Sequence, residues 1–254
     1  MIKIKNFLIK NCFEKFAGKL FTSFILGSLC NLAFAPFHFF PAAILSICGF
    51  YFLLENQSQK KNIFWISWFY GFGYFLAGIY WIVISLLVDA EKFAWLIPFG
   101  LTLIPGILAI YVGLFGLSYK SFINRFELSK TYEKILSFAI LWLIFEVLRS
   151  FLFSGFPWNL IGYIFSSTEY LIQIASISGI YGLSFLTILI CLSPALFLKF
   201  DEEKIIKNIP KDSDRIFAIA LSCLIISCFI FGKIHIDDSA IPSSENAKLR
   251  LVQG

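Results

Sequence analysis

The length of its apolar blocks is the feature that most constrains what this chain can fold into. A helix that crosses the hydrocarbon core of a bilayer needs about 20 mostly apolar residues, within a range of roughly 17–25. The sequence contains seven blocks of about this length, at Leu20–Phe37, Phe39–Leu54, Ile63–Val88, Phe93–Tyr119, Ile135–Phe153, Tyr170–Leu198 and Ile216–Gly232. Charged residues make up only 15% of the chain, whereas soluble domains carry about 25%. The sequence therefore predicts an all-α, polytopic transmembrane helix bundle with about seven spans.

The second block is the shortest, and Pro41 blurs its start. A re-entrant or tilted segment at this point would give six spans instead of seven. The third block carries Gly71 and Gly73, and small residues let transmembrane helices approach each other closely. We therefore expect the third block to pack tightly against a neighbouring helix.

The distribution of basic residues predicts the orientation of the bundle. Sixteen of the 21 Lys and Arg residues lie in the N-terminal arm and in the loops after the second, fourth and sixth blocks. Such an excess marks the cytoplasmic side of a membrane protein. Seven spans then place the N-terminus in the cytoplasm and the C-terminus outside. With seven spans, basic loops and loops with few basic residues alternate more regularly along the chain than with six. The net charge of +5 is thus a signal of topology, and no nucleic-acid partner is expected.

These patterns divide the chain into a basic cytoplasmic arm at 1–19, a transmembrane bundle at 20–232 and an extracytoplasmic tail at 233–254. The six cysteines form no Cys-x-x-Cys motif and pair with no nearby histidine. That pattern lacks the spacing of metal and redox sites. We therefore expect no metal and no cofactor, and we assign no catalytic residue.

One stretch combines charge with a turn motif at the end of a long apolar block. Glu146 and Arg149 lie three residues apart, so they share one face of the predicted fifth helix and can pair. A Ser154-Gly-Phe-Pro-Trp158 turn follows, and tryptophan suits the headgroup level of a membrane. Two interpretations stay open: an interfacial ion pair that anchors the helix, or an outward-facing polar pocket for an amphipathic substrate.

A set of ordered motifs indicates a family. They are Asn31-Leu-Ala-Phe-Ala-Pro-Phe37, Tyr70-Gly-Phe-Gly-Tyr-Phe-Leu-Ala-Gly-Ile-Tyr-Trp81, Glu146-x-x-Arg149 with Ser154–Trp158 and Gly162-Tyr163, Ser178-Gly-Ile-Tyr-Gly-Leu-Ser184, and Leu251-Val-Gln-Gly254. This set resembles the bacterial apolipoprotein N-acyltransferases and extends over nearly the whole chain. The resemblance implies a multi-pass protein of the bacterial inner membrane.

The resemblance also implies a reaction. In that family a phospholipid donates a fatty acyl chain to a cysteine as a thioester, and the N-terminal amine of a diacylglyceryl-modified lipoprotein then accepts it. The Glu, Lys and Cys that do this belong to a nitrilase-like domain after the seventh span, and no position here matches them. Leu251–Gly254 resembles the first strand of that domain. We therefore expect a truncated membrane part that is inactive alone, with a separate chain as one source of the missing domain.

The expected partners are the bilayer, a phospholipid acyl donor and a diacylated apolipoprotein. The lipid groove that these substrates need is predicted at Glu146, Arg149, Gly155, Pro157 and Trp158. Arg149 would bind a lipid phosphate there or stay paired with Glu146. Two other classes remain: a non-catalytic membrane scaffold and, since no internal repeat is evident, less favourably a lipid transporter.

Overall fold

The structure is a computed structural model that describes residues 15–152, 155–201, 204–207 and 209–238. The described residues form seven helices of 15 to 29 residues, one for each predicted block: α1 Phe16–Cys30, α2 Phe40–Glu55, α3 Lys60–Ile79, α4 Ile97–Arg125, α5 Thr131–Phe151, α6 Ala175–Leu192 and α7 Asp212–Asp238. Most of the predicted arm (1–14), the end of the predicted tail (239–254) and Ser154 lie outside the described residues.

Short elements join the long helices. They are 3₁₀ segments at Asn31–Ala33, Tyr80–Leu87, Ala94–Leu96, Ile161–Ser167, Leu171–Ile174 and Ser193–Leu196, and a single α-helical turn at Ala90–Phe93. An antiparallel hairpin of β1, Leu198–Asp201, and β2, Lys204–Lys207, lies between α6 and α7. The sequence predicted only a loop there, so this hairpin was not expected.

The all-α fold class is confirmed, because the hairpin is a small addition to a bundle of helices. Among the described residues, five segments are long and apolar enough to cross a membrane: Phe16–Ala33, Lys60–Leu87, Ala90–Arg125, Leu171–Leu196 and Asp212–Ile236. Two helices differ from these five. α2 has only 16 residues, and α5 carries four charged side chains among its 21 residues. The total of seven spans and the orientation of the termini stay predictions.

α3 lies between α1 and α4, while α2, α5, α6 and α7 form the remainder of the bundle. The predicted tight packing of the third block is confirmed at Gly73. A Cβ atom there would lie 2.2 Å from the backbone oxygen of Phe24 on α1, so only glycine fits. The Ser23 hydroxyl also donates to the Ile66 carbonyl oxygen at 2.7 Å. Interhelical hydrogen bonds and close packing are what hold helices together in lipid.

Aromatic side chains fill the centre of the bundle. The rings of Phe50 and Tyr70 stack with centroids 4.0 Å apart, and the Tyr70 hydroxyl lies 2.8 Å from the hydroxyl of Ser46. Large apolar side chains also cover the outside, for example Ile107 at 60% exposed and Ile226 at 58%. An apolar exterior suits a protein surrounded by lipid tails.

α5 connects the two ends of the bundle, and local signals set both its limits. At its start, the Lys130 backbone N–H donates to Glu133 Oε2 at 3.3 Å, which satisfies a free N-terminal donor. At its end, the chain leaves the helix after Phe151 and reaches Gly155 with φ +75°. This exit brings the following loop back over the last turn of α5.

Candidate functional site

Arg149 holds the loop that follows α5, and we call residues 155–162 the clamped loop. The Arg149 side chain is only 3% exposed. Its Nη1 atom donates to the carbonyl oxygens of Phe156 at 2.6 Å and Trp158 at 2.8 Å. The backbone N–H of Phe156 donates in return to the Arg149 carbonyl oxygen at 3.0 Å. Hydrogen bonds from a charged donor are stronger than neutral ones, so Arg149 fixes the path of the loop.

Glu146 holds the far side of the same loop. It lies one turn before Arg149, is 5% exposed, and accepts the backbone N–H of Ile161 on Oε1 at 2.9 Å. Within the described part of the chain, no ion pair joins Glu146 to Arg149. The two charges that the sequence placed on one helix face are therefore both directed at loop backbone.

A small cavity lies beside these two side chains, between α3, α4 and α5. Tyr74, Phe75 and Trp142 help to line it together with Glu146 and Arg149. The space open to the centre of a water molecule is about 20 Å³, which is room for about one water. Oε2 of Glu146 and Nε1 of Trp142 lack a hydrogen-bond partner of good geometry among the described residues. The guanidinium of Arg149 lies 5.1 Å from the centre of the Phe75 ring, within the range of a cation–π contact.

The predicted turn residues have two different environments. Gly155 takes the left-handed conformation, and a Cβ atom there would lie 2.3 Å from the Ser150 carbonyl oxygen. Pro157 and Trp158 are exposed instead, Trp158 at 53%. The indole of Trp158 packs edge to face on Trp81, with ring centroids 5.3 Å apart. The loop thus presents an aromatic surface at the end of the bundle while its backbone is held from below.

Three further polar side chains complete the site, and their sequence positions alone did not indicate this role. Tyr74 donates its hydroxyl to the Asn159 carbonyl oxygen at 2.7 Å. Asn31 donates from Nδ2 to the Tyr74 carbonyl oxygen at 2.8 Å and accepts from Asn159 Nδ2 at 3.3 Å. Asn159 itself has φ +58°, a conformation that asparagine tolerates better than most residues. These three side chains join α3, the first interhelical connection and the clamped loop.

α6 supports the end of the clamped loop. The Gly162 backbone N–H donates to Ser184 Oγ at 3.0 Å, and a Cβ atom on Gly162 would lie 2.8 Å from the Ser184 backbone nitrogen. Asn31, Tyr74 and Ser184 each belong to one of the motifs that carried the family resemblance. Those motifs were the only sequence signal from which these site residues could have been found, because no individual residue in them indicates a site by its type.

The apolar exterior, the membrane-length helices and the clamped loop define an α-helical membrane protein. The sequence model of the apolipoprotein N-acyltransferase N-terminal domain matches residues 26–193. Apolipoprotein N-acyltransferases of Rickettsia prowazekii and Rickettsia typhi are each 36% identical to the chain, over 232 and 233 residues. That of Rhodopseudomonas palustris is 32% identical over 234 residues. The chain belongs to the apolipoprotein N-acyltransferase family.

The matches cover most of this chain and less than half of each relative. They include 90% of the chain and 43% of the R. prowazekii protein, 91% and 43% for R. typhi, and 90% and 41% for R. palustris. The chain therefore spans about 43% of the length of the first two relatives. The prediction that the chain belongs to this family and corresponds to its membrane region is confirmed.

Proposed function

We propose that this chain forms the membrane part of an enzyme that transfers a fatty acyl chain from a phospholipid to the N-terminal amine of a diacylglyceryl-cysteine. The match of residues 26–193 to the N-terminal domain of the family supports this proposal. The proposed substrates are a phospholipid donor and a diacylated apolipoprotein, and the proposed location is the bacterial inner membrane. The Glu, Lys and Cys of a nitrilase-like domain, in the same polypeptide or a second chain, would carry the chemistry.

On this proposal the site acts by positioning. Arg149 and Glu146 are buried and bonded to loop backbone, whereas Pro157 and Trp158 are exposed. The exposed pair, with Trp81 beside it, would form the rim past which lipid chains enter the enzyme. The buried charges would hold that rim in one shape, since fixing a binding surface in advance lowers the entropy lost on binding. In this proposal the predicted lipid groove is an exposed rim whose shape is fixed by the buried side chains of Arg149 and Glu146.

The proposal is tested by following N-acylation in cells. The natural gene product would be expressed in a bacterium depleted of its own apolipoprotein N-acyltransferase, and the N-terminal peptide of a lipoprotein would be weighed by mass spectrometry. We expect the mass increase of one acyl chain. An antibody to the Asp201–Arg215 loop would measure the mass and amount of the polypeptide. Full expression in the membrane without any acylated peptide, even when a chain that carries the nitrilase-like domain is expressed with it, would refute the enzyme and favour a scaffold.

A matched pair of variants tests the rim. Trp158→Ala should lower acylation severalfold at an unchanged amount of folded protein, because it removes the exposed indole without touching the clamp. Trp65→Ala is the control, since Trp65 is also partly exposed, at 38%, and lies in the first turns of α3 at the opposite end of the bundle. Equal activity of the two variants would leave the enzyme intact and overturn the role of the rim.

A further inference from the structure

A second cavity lies at the lysine-rich end of the bundle, which the sequence predicts to face the cytoplasm. It lies between the end of α2, the start of α5 and the start of α7, and its volume is about 390 Å³. Among the described residues, Lys130, Lys134 and Lys211 line it. The hydroxyl-bearing residues Ser129 and Thr131 lie beside them. We call this space the basic cavity.

In the described part of the chain, two carboxylates also line the basic cavity, and both accept hydrogen bonds. Asp214 is 2% exposed and accepts the backbone N–H of Tyr132, in the first turn of α5, at 3.1 Å. Glu55 accepts from Lys120 at 3.4 Å and from Lys134 at 2.5 Å. The negative charge of Glu55 is therefore more than balanced by the two lysines that contact it.

The other two lysines remain available. Lys130 contacts Glu133 only at 3.7 Å, and 46% of its side chain is exposed. Lys211 is exposed and has no ion-pair partner in the described part of the chain. Among the described residues, the lining of the basic cavity therefore has one more lysine than carboxylates, together with hydroxyl donors, and this chemistry suits a phosphate group.

An apolar groove adjoins the basic cavity along the same elements. Its volume is about 400 Å³, and it lies between the Ser193–Leu196 segment and the outer face of α7. Ala195 lines the cavity while Leu196 lines the groove. Along α7, Asp214 lines the cavity and Ala218, one turn further on, lines the groove. The polar space and the apolar one thus lie about one helical turn apart along α7.

We infer that the cavity and the groove together bind one anionic phospholipid of the adjacent leaflet. Lys130 and Lys211 hold the headgroup phosphate, Lys134 stays paired with Glu55, and an acyl chain lies in the groove along α7. Basic pockets between transmembrane helices on the cytoplasmic side are suited to anionic headgroups. This site is separate from the clamped loop, because the 19 residues from Lys130 to Arg149 along α5 span about 28 Å. It does not depend on the proposed acyl transfer.

The inference is tested with the purified protein in a neutral detergent, titrated with phosphatidylglycerol and followed by native mass spectrometry. The double variant Lys130→Ala/Lys211→Ala should bind about thirtyfold more weakly, because each basic side chain near an anionic lipid contributes about fivefold. The control is Lys60→Ala/Lys61→Ala, which removes two exposed lysines at the same end of the bundle but outside the cavity. It should change the affinity less than twofold.

Three further measurements distinguish binding of a lipid headgroup from binding of free inorganic phosphate. Phosphatidylcholine should bind at least tenfold more weakly than phosphatidylglycerol. Inorganic phosphate should compete only at millimolar concentrations. Ala218→Phe, which fills the groove, should weaken the binding of phosphatidylglycerol and leave the competition by inorganic phosphate unchanged. Equal effects of the two lysine pairs, equal binding of the two lipids, or phosphate that binds as tightly as the lipid would each overturn the inference.

Discussion

Replacing Arg149 by alanine would release the clamped loop from below. The substitution removes both hydrogen bonds from Nη1, to the carbonyl oxygens of Phe156 and Trp158. It also removes the only positive charge on the last two turns of α5, one turn from the buried carboxylate of Glu146. The variant thus loses its hold on the loop and leaves a buried negative charge without a neighbouring cation.

The size of the effect follows from these two losses. A hydrogen bond that involves a charged group contributes about 1.5–3 kcal/mol, and removing one member of a buried charged set costs about 3–5 kcal/mol. The two values describe overlapping interactions, so they are not added. We expect Arg149→Ala to lower the free energy of unfolding by about 3–5 kcal/mol. Arg149→Lys, which keeps the charge and loses the planar fork, should fall between this variant and the natural protein.

The free energy of unfolding would be measured by SDS titration in mixed micelles, and the loop by hydrogen exchange of peptides that cover residues 155–163. In Arg149→Ala the Ile161 amide should exchange faster, since the loop that carries it is no longer fixed. Arg215→Ala is the control: its side chain is 55% exposed and lies 3.4 Å from Asp212. A surface pair of this kind contributes about 0–1 kcal/mol.

The reasoning would be refuted by an Arg149→Ala protein whose unfolding free energy lies within about 1 kcal/mol of the control and whose loop amides stay protected. That result would mean that packing, not the guanidinium, fixes the loop. A loss of stability with protected loop amides would refute the clamp alone.

Three further predictions use the same stability assay. Glu146→Leu should lower the free energy of unfolding more than Glu146→Gln, because glutamine keeps an acceptor for the Ile161 amide. Equal losses of stability would contradict a contribution from that hydrogen bond. Gly155→Ala should cost about 1–3 kcal/mol, since alanine is strained at φ +75°, and an unchanged midpoint would show that the turn relaxes freely. Gly73→Ala should destabilise the α1–α3 contact, whereas Gly106→Ala, whose Cβ would meet nothing closer than 3.6 Å, should be near neutral; equal values would contradict the close approach.

The helices could be predicted because lipid leaves few choices. A backbone in hydrocarbon must satisfy its own hydrogen bonds, so each long apolar block becomes a helix. All seven blocks did so, although their limits moved where local chemistry intervened. The third block, for example, ends as α-helix at Ile79 and continues as the 3₁₀ segment Tyr80–Leu87. The Trp81 indole N–H donates to the Gly78 carbonyl oxygen at this change.

The role of the charged residues could not be read from their spacing. Two residues three apart on a helix can pair, and that rule made an ion pair one of the two interpretations for Glu146 and Arg149. The rule describes a helix surface in isolation. Here the loop that follows α5 folds back over its last turn and offers two carbonyl groups and one N–H to the same two side chains. Only the tertiary path of the loop could show this.

The motifs are separate in the sequence because each supports the clamped loop from a different side. Asn31 and Tyr74 reach it from the first connection and from α3, while Ser184 reaches it from α6. Arg149 and Glu146 reach it from α5. Leu160 and Ile161 of this loop are buried, and the backbone polar groups buried with them need partners, which the side chains of several neighbouring elements supply. These five residues therefore act together on the conformation of the loop, and none of them has to contact a substrate to do so. The result is that the side chain of Trp158 is held outward.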